Sequence, residues 1–461
     1  MDEQPQIGAG GNQPQPTFDP NDPAQQKPKL RRIRGFPLQA KGPDGNPITL
    51  MGLADAQQIS TKVVATIPAV QAVLPHMDGS KGLDEIVGAV GQGLQRPFLE
   101  QLVAQLADAA LIEGAEFDRL FDEMRSQFDE ADVLPPGSSV QFAEAAVMQK
   151  YEGNATDEQK AGEGATEMAR VFDAWIDQAL KDAENPAFDV LPPAVVAPHI
   201  DYPRGWVNYA HTYGRMRVAE RPDRVIVLGT NHFGMATGVC GCDKGYETPF
   251  GVSRLDKPLF EALTSRLGEE QTEQLLRHKY DHEREHSIEL HIPWIQHCLG
   301  KSEDGEYVPV FGALIHDPAV NNGESYDGEG LDLDPFIEAM KGAIAEVGGR
   351  TLVISSADLS HAGPAFGDQQ PLAGDTDEAK AARDRVTGHD REMLNLVEAN
   401  KPDELVAAMA WQQNPTRWCS VGNLVATMKI VEPAEIKLLN YGAAMDQQGT
   451  TLVSHASLSM K

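Results

Sequence analysis

The spacing of apolar residues changes twice along the chain. Residues 1–29 hold a single Phe among Gln, Pro, Gly and Asn, too few apolar side chains to offset the entropy of ordering, so a disordered tail is expected there. Over residues 30–118, VVATIPAVQAVLPHM, LDEIVGAVGQGL and RPFLEQLVAQLADAALIEG carry apolar residues at helical spacing. The last two, parted by a Gln-Arg-Pro turn, predict the helical hairpin of a small winged-helix-like accessory domain. Residues 119–190 read as a helical connector built from acidic segments such as ATEMARVFDAWIDQALKDAEN. From residue 191 the pattern shortens. PAVVAP, DRVIVLG, EYVPVFGALI, RTLVISSA, IKLLNYG and TTLVSHA are near-continuous runs separated by longer helical patterns, which fits strands covered on both faces. An α/β fold is predicted for 191–461, a three-layer αβα domain with a mainly parallel or mixed sheet.

Bulk composition narrows the classes. At 461 residues the chain exceeds one ordinary core, and two or three domains are expected. With 39 basic against 69 acidic residues the formal charge is -30, a surface that repels phosphate backbones and anionic lipids. Between Leu30 and Gly114 seven basic residues face eight acidic ones, so that segment lacks the charge of a DNA-binding winged helix. Four cysteines are too few for a disulfide scaffold and suit a reducing compartment. A cytoplasmic protein is expected, because neither a signal peptide nor a run of 18 apolar residues is present.

Candidate chemistry collects after the strands. Four runs end at a histidine, giving His199, His232, His316 and His361, and ligands in open α/β sheets bind outside the carboxyl ends of strands. These side chains are therefore expected to converge. The stretch DHEREHSIELHIP contains H-E-x-x-H at His282–His286, a pattern that holds zinc in metallopeptidases when both histidines share one helical face. Here the intervening Arg284 and Glu285 and the preceding HKYD predict a solvated segment, which argues against a peptidase. Cys240 and Cys242 fall on an expected strand and read as ordinary core or edge cysteines.

APH followed by Tyr202, LGTNH ending at His232, YETPFG, REHSIELHIPW, SSADLSH, and Cys419 in RWCSVGNLVATM stand in the order seen in the Memo family, which includes the bacterial proteins named AmmeMemoRadiSam system protein B. The chain resembles that family over about residues 192–458. The resemblance implies a fold similar to the class III extradiol ring-cleavage dioxygenases, which use non-haem Fe(II). It implies His199, His232 and Cys419 as metal ligands, with Asp358 and His361 completing the polar wall and His361 in the place of an acid/base. The resemblance puts Fe(II) first, with Cu or Zn as alternatives, although a thiolate where the dioxygenases have a carboxylate changes both metal preference and redox behaviour. His286, Glu289 and His291 become the residues of interest in REHSIELHIPW, with a substrate-binding role open for His291. Ile200 and Asp201 replace the family's small pair, and Asp201 is a candidate to orient His199 or to face the metal or substrate. Ser420 and Asn423 also depart from the family pattern.

Three functions follow as expectations: a metal-dependent redox or oxygen-handling protein of unknown substrate, an extradiol-type ring-cleavage dioxygenase, or a non-catalytic module that binds a peptide or small molecule in a vestigial pocket. The family's bacterial names imply a radical-SAM protein and a third system component as partners. MDGSKGLDEIVGAVGQGLQRPFLEQLVAQLADAALIEG resembles PqqD-like or winged-helix recognition domains, which bind leader peptides or partner proteins. A helical accessory domain without a ligand is the other reading of that segment.

Overall fold

The computed structural model describes residues 16–41, 46–91 and 93–461, and the expected tail lies outside the described residues as far as residue 15. Two compact units are present, Met1–Glu130 and Ala131–Lys461.

In the first unit a turn of helix α1 (Pro23–Gln26) is capped by Asp22, whose side chain accepts from the Ala24 N–H. Strands β1 (Ile33–Lys41), β2 (Pro47–Asp55) and β3 (Val63–Thr66) then form an antiparallel sheet in that order. Helices α2 (Leu83–Val90), α3 (Arg96–Asp108) and α4 (Ala115–Glu130) follow, and α2 with α3 is the anticipated helical pair. The stretch VVATIPAVQAVLPHM is not a helix. Its β-branched start pairs as β3, and Pro68 and Pro75 each open a short 3₁₀ turn, because a proline ring blocks helical bonding to the residues before it. Leu53, Val64, Val70, Ile86, Leu99 and Leu111 make the core of this unit.

The second unit holds a mixed α/β fold. Helices α5 (Ser138–Lys150) and α6 (Asp157–Leu180) come first, after the short strand β4 (Val133–Leu134). The main sheet contains β5 (Ala194–Ala197), β6 (Arg224–Thr230) and β7 (Cys240–Gly241), whereas β8 (Gly245–Thr248) and β9 (Gly251–Ser253) pair with β4 in a small sheet of their own. The main sheet continues with β10 (Val310–Ile315), β11 (Thr351–Ser356), β12 (Asp358–Ala362), β13 (Ile436–Met445) and β14 (Leu452–Met460). All six anticipated strand runs are strands.

Strand order is β12-β14-β5-β11-β6-β10-β7, with β13 along β14. The central four, β5, β11, β6 and β10, are parallel; β14 and β7 run antiparallel to them at the flanks, and β12 pairs antiparallel with β14. Between the strands come α7 (Tyr202–Tyr213), α8 (Lys257–Leu276), α9 (His286–Glu289), α10 (Ile292–Leu299), α11 (Pro318–Asn321), α12 (Leu333–Val347), α13 (Asp377–Glu398), α14 (Pro402–Gln412) and α15 (Val421–Val431). Ile226, Phe311, Phe336, Met393, Met409 and Leu424 belong to one core that joins strands to helices α12 to α15. Helices α6, α7 and α10 meet in an aromatic cluster in which Phe172 stacks on Trp294 with ring centres 3.8 Å apart. This topology positions the site, because β11 lies between β5 and β6 and the three strands end side by side.

Candidate metal centre

His199 follows β5 and His232 follows β6, one on each side of β11, so their backbones are two strand spacings apart, about 10 Å. Their rings lean toward each other across the end of β11, with centres 5.0 Å apart. Cys419 comes from the loop before α15, and its Sγ lies 3.3 Å from His199 Nε2. The donor atoms of His199, His232 and Cys419 all fall within 4.8 Å of one another.

Hydrogen bonding fixes which nitrogen each ring presents. Ser356, the last residue of β11, donates its hydroxyl proton to the Ser287 carbonyl, so its oxygen accepts from His199 Nδ1 at 2.8 Å. His199 therefore keeps the Nε2 lone pair on the side of Cys419. His232 Nδ1 donates to Glu285 Oε1 at 3.0 Å, which leaves its Nε2 free in the same way. A carboxylate or hydroxyl behind the far nitrogen is the arrangement that fixes tautomer and orientation in metal-ligating histidines. Burial pushes the His199 imidazole down to about 3, so the ring is a neutral donor at ordinary pH. Burial, then the nearby Asp358 charge, raises the Cys419 thiol, and a bound cation would favour the thiolate instead.

Glu285 is the residue that the charge pattern hid. Rather than lying in solvent it is buried, and its Oε1 accepts from His232 Nδ1, from the Ser287 N–H at 2.8 Å and from His286 Nδ1 at 3.2 Å. Its Oε2 accepts from the His232 N–H at 2.7 Å. Burial alone would raise this carboxyl, but His232 and His286 hold it well below the usual range. Glu285, His232 and His286 also bring potential ligand atoms together, yet the Glu285 oxygens are committed to these donors, so it acts as their support. His286 consequently directs its own Nε2 away from Glu285, and its ring centre lies 5.7 Å from His199 and 4.9 Å from His232.

The H-E-x-x-H match is not a zinc helix. Lys279–Glu283 form a 3₁₀ turn and α9 starts only at His286, so His282 and His286 lie on different elements. His282 is buried, with Nε2 on the Cys240 carbonyl and Nδ1 on the Tyr246 hydroxyl. Glu289 is turned to another task, accepting from the backbone N–H groups of Gly137 and Ser139.

Asp358 opens β12 beside His199. Its Oδ1 accepts the His199 N–H at 3.0 Å and its Oδ2 lies 3.7 Å from His199 Nε2. Burial would raise it, but the neighbouring His199, His361 and His455 and the bond from the His199 N–H outweigh that and hold it low. His361 Nδ1 faces the carbonyls of Leu359 and Arg417, both at 3.1 Å, so Nδ1 carries the proton and Nε2 the lone pair. Burial lowers the His361 imidazole, which keeps it a neutral base.

Two proposed substrate contacts sit elsewhere. Asp201 caps α7 by accepting from the Arg204 N–H and pairs with the Arg204 guanidinium, while Ser356 and Asp358 do the orienting of His199. His291 is fully buried, its Nδ1 2.6 Å from the Tyr213 hydroxyl and its ring against Tyr209, so it belongs to the aromatic core and offers no surface to a substrate. His316 also leaves the expected group. It follows β10, one strand beyond β6, and bonds the Gly323 carbonyl. Cys240 and Cys242 are free and buried, as ordinary core cysteines.

A family profile for Memo-like proteins matches residues 158–460. The chain belongs to the Memo family. Similar proteins include the MEMO1 family protein of Methanopyrus kandleri, 27% identical over 272 residues that span 58% of this chain and 82% of the relative. The MEMO1 family protein of Methanothermobacter thermautotrophicus is 29% identical over 58% of this chain and 83% of its own. That of Pyrococcus furiosus is 29% identical over 58% and 86% respectively. The Memo match includes every residue of the centre and lies wholly within the second unit. No helix among the described residues is long and apolar enough to cross a membrane.

Proposed function

We propose that this Memo-family chain holds one transition-metal ion on His199 Nε2, His232 Nε2 and Cys419 Sγ, and uses it in a redox or oxygen-handling reaction. Two imidazoles and one thiolate can hold Fe(II), Cu or Zn, and the family resemblance puts Fe(II) first. The supporting observation is the tautomer of each ring: Ser356 and Glu285 occupy the Nδ1 atoms and leave both Nε2 lone pairs beside the sulfur. The metal would supply a Lewis-acidic, redox-active centre with positions open to small molecules.

The protein's own groups divide the remaining work. His361 Nε2 accepts a proton from the substrate, its Nδ1 held by two carbonyls. Asp358 fixes the backbone at His199 and supplies negative charge to the site. His286, steered by Glu285, contributes a further imidazole nitrogen to the same space. Extradiol-type ring cleavage is the second reading, favoured by the neutral base His361; the thiolate in place of a carboxylate ligand ranks it below a redox role. Association with a radical-SAM protein and a third component remains a proposal resting on the family resemblance, to be tested by co-purification.

Elemental analysis of protein purified without oxygen tests the centre. About one equivalent of transition metal per chain is expected in the wild type, with loss in Cys419→Ser. Equal metal content in both proteins would end the assignment.

A further inference from the structure

The loop that delivers Cys419 is held in a costly conformation. Gln413, Asn414 and Arg417 all have positive φ, at 58°, 44° and 60°, without being glycines. Such a loop keeps one shape only if its surroundings dictate it. Part of the restraint is internal, since the Asn414 side chain clasps both the N–H and the carbonyl of Trp418 at 2.8 Å. A further restraint comes from a buried carboxylate outside the loop.

Asp390, on α13, is fully buried. A carboxylate in such a place ordinarily has a cation beside it. Here it has neutral donors instead. Its Oδ1 accepts from Trp418 Nε1 at 2.7 Å and from Ser360 Oγ at 2.5 Å, and its Oδ2 accepts from the Tyr441 hydroxyl at 2.6 Å. Trp418 directly precedes Cys419, and Ser360 directly precedes His361. One oxygen atom thus ties the segment supplying the thiol to the segment supplying the base. Thr416 reinforces the joint, its hydroxyl 2.7 Å from Ser360 Oγ and its carbonyl accepting from the His361 N–H.

We propose that Asp390 is a positioning residue that sets the place of Cys419 relative to His199 and of His361 relative to both, by joining Trp418 to Ser360. The inference rests on the reading of Cys419 as a metal ligand for its functional meaning, but the positioning itself is a property of the metal-free protein. It acts through other side chains and touches neither metal nor substrate.

Asp390→Asn tests it, because the amide keeps the volume but removes the charge, which weakens the acceptor left for the Trp418 N–H and the Ser360 hydroxyl, and puts an N–H where one carboxylate oxygen stood. Thiol accessibility gives a readout independent of metal. Of the four cysteines only Cys419 is partly exposed, the other three being buried. In metal-free Asp390→Asn, one thiol is expected to react with an aromatic disulfide reagent several-fold faster than in the wild type, while the other three stay protected. Co(II) binding, followed by its thiolate charge-transfer absorption, is expected to weaken about 10- to 100-fold, as when an outer partner of a metal ligand is lost. Trp418→Phe, which removes the indole N–H together with part of a buried ring system, should move both readouts the same way with the other three thiols still protected, and serves if Asp390→Asn does not fold. Tyr441→Phe should leave both near wild type.

Wild-type thiol kinetics and Co(II) affinity in both variants would overturn the proposal. So would simultaneous exposure of all four thiols, which marks general loosening. If the wild type binds no Co(II) while the single-thiol response appears, the metal reading fails and the positioning role stands.

Discussion

His361 and Arg417 are bonded to each other in both directions: His361 Nδ1 donates to the Arg417 carbonyl at 3.1 Å, and Arg417 Nη1 donates to the His361 carbonyl at 2.9 Å. Arg417 also pairs with Asp368. Removing the guanidinium in Arg417→Ala leaves the carbonyl that fixes the His361 tautomer but frees the strand it braces. The half-exposed ion pair contributes little, and the lost hydrogen bond sets the size of the effect, about 1 kcal/mol. Urea unfolding of metal-free protein measures it, and an unchanged midpoint would show that the pair does not restrain the loop.

Glu285→Gln should separate support from ligation. The amide must set its NH2 either against the two imidazole N–H groups at Oε1 or against the His232 backbone N–H at Oε2, and it loses the charge in both cases, so the support of His232 weakens in either orientation. Metal affinity should fall about 10- to 100-fold with the fold intact. Competition against a coloured chelator reads the affinity directly, and undiminished affinity would contradict the supporting role.

His291 should make the protein acid-sensitive. Burial pushes its imidazole down to about 3, so between the ordinary value of 6.5 and that figure the unfolded chain binds a proton that the native state refuses. Stability rises with pH across this window and is lost as pH falls through it, by up to about 1.4 kcal/mol per pH unit for this one group. His291→Gln should flatten the pH dependence of urea unfolding between pH 7 and pH 5, measured without metal. A slope identical to wild type would remove His291 as its source.

A glycine in α15 marks where the helix meets the sheet. A Cβ on Gly422 would overlap the His316 carbonyl oxygen and approach Ile315 Cγ2 to 2.8 Å, both at the end of β10. Because the first of these atoms is backbone, Gly422→Ala should cost about 1–3 kcal/mol as the helix backs away. Calorimetric melting tests this, and an unaltered melting temperature would mean that α15 is free to shift.

Legibility in the sequence followed the range of the interactions. The runs ending at His199 and His232 were readable because strands carry their own local signature and parallel strands bring their carboxyl ends together. His316 belonged to the same pattern and failed it, because strand order, which no local signal reveals, put β10 one step too far away. Glu285 was misread for the opposite reason: local charge suggested solvent, whereas the partners that neutralise its burial come from a strand end about 53 positions earlier in the chain. Asp201 was credited to His199 for its adjacency, but a carboxylate at the start of a helix finds free backbone N–H groups first. The proline-punctuated segment after Val63 lost its helical reading to a strand and two tight turns.

The pairing of Val196 on β5 with Leu458 on β14 has a bearing on biosynthesis. The strand that fills the gap between β5 and β12 is the latest of the sheet to leave the ribosome. Until then Ala194–Ala197, apolar at every position, has one edge without its neighbour, and such an edge invites pairing with another nascent chain. Chaperone supply during expression should therefore raise the soluble yield, by covering that edge until β14 is made.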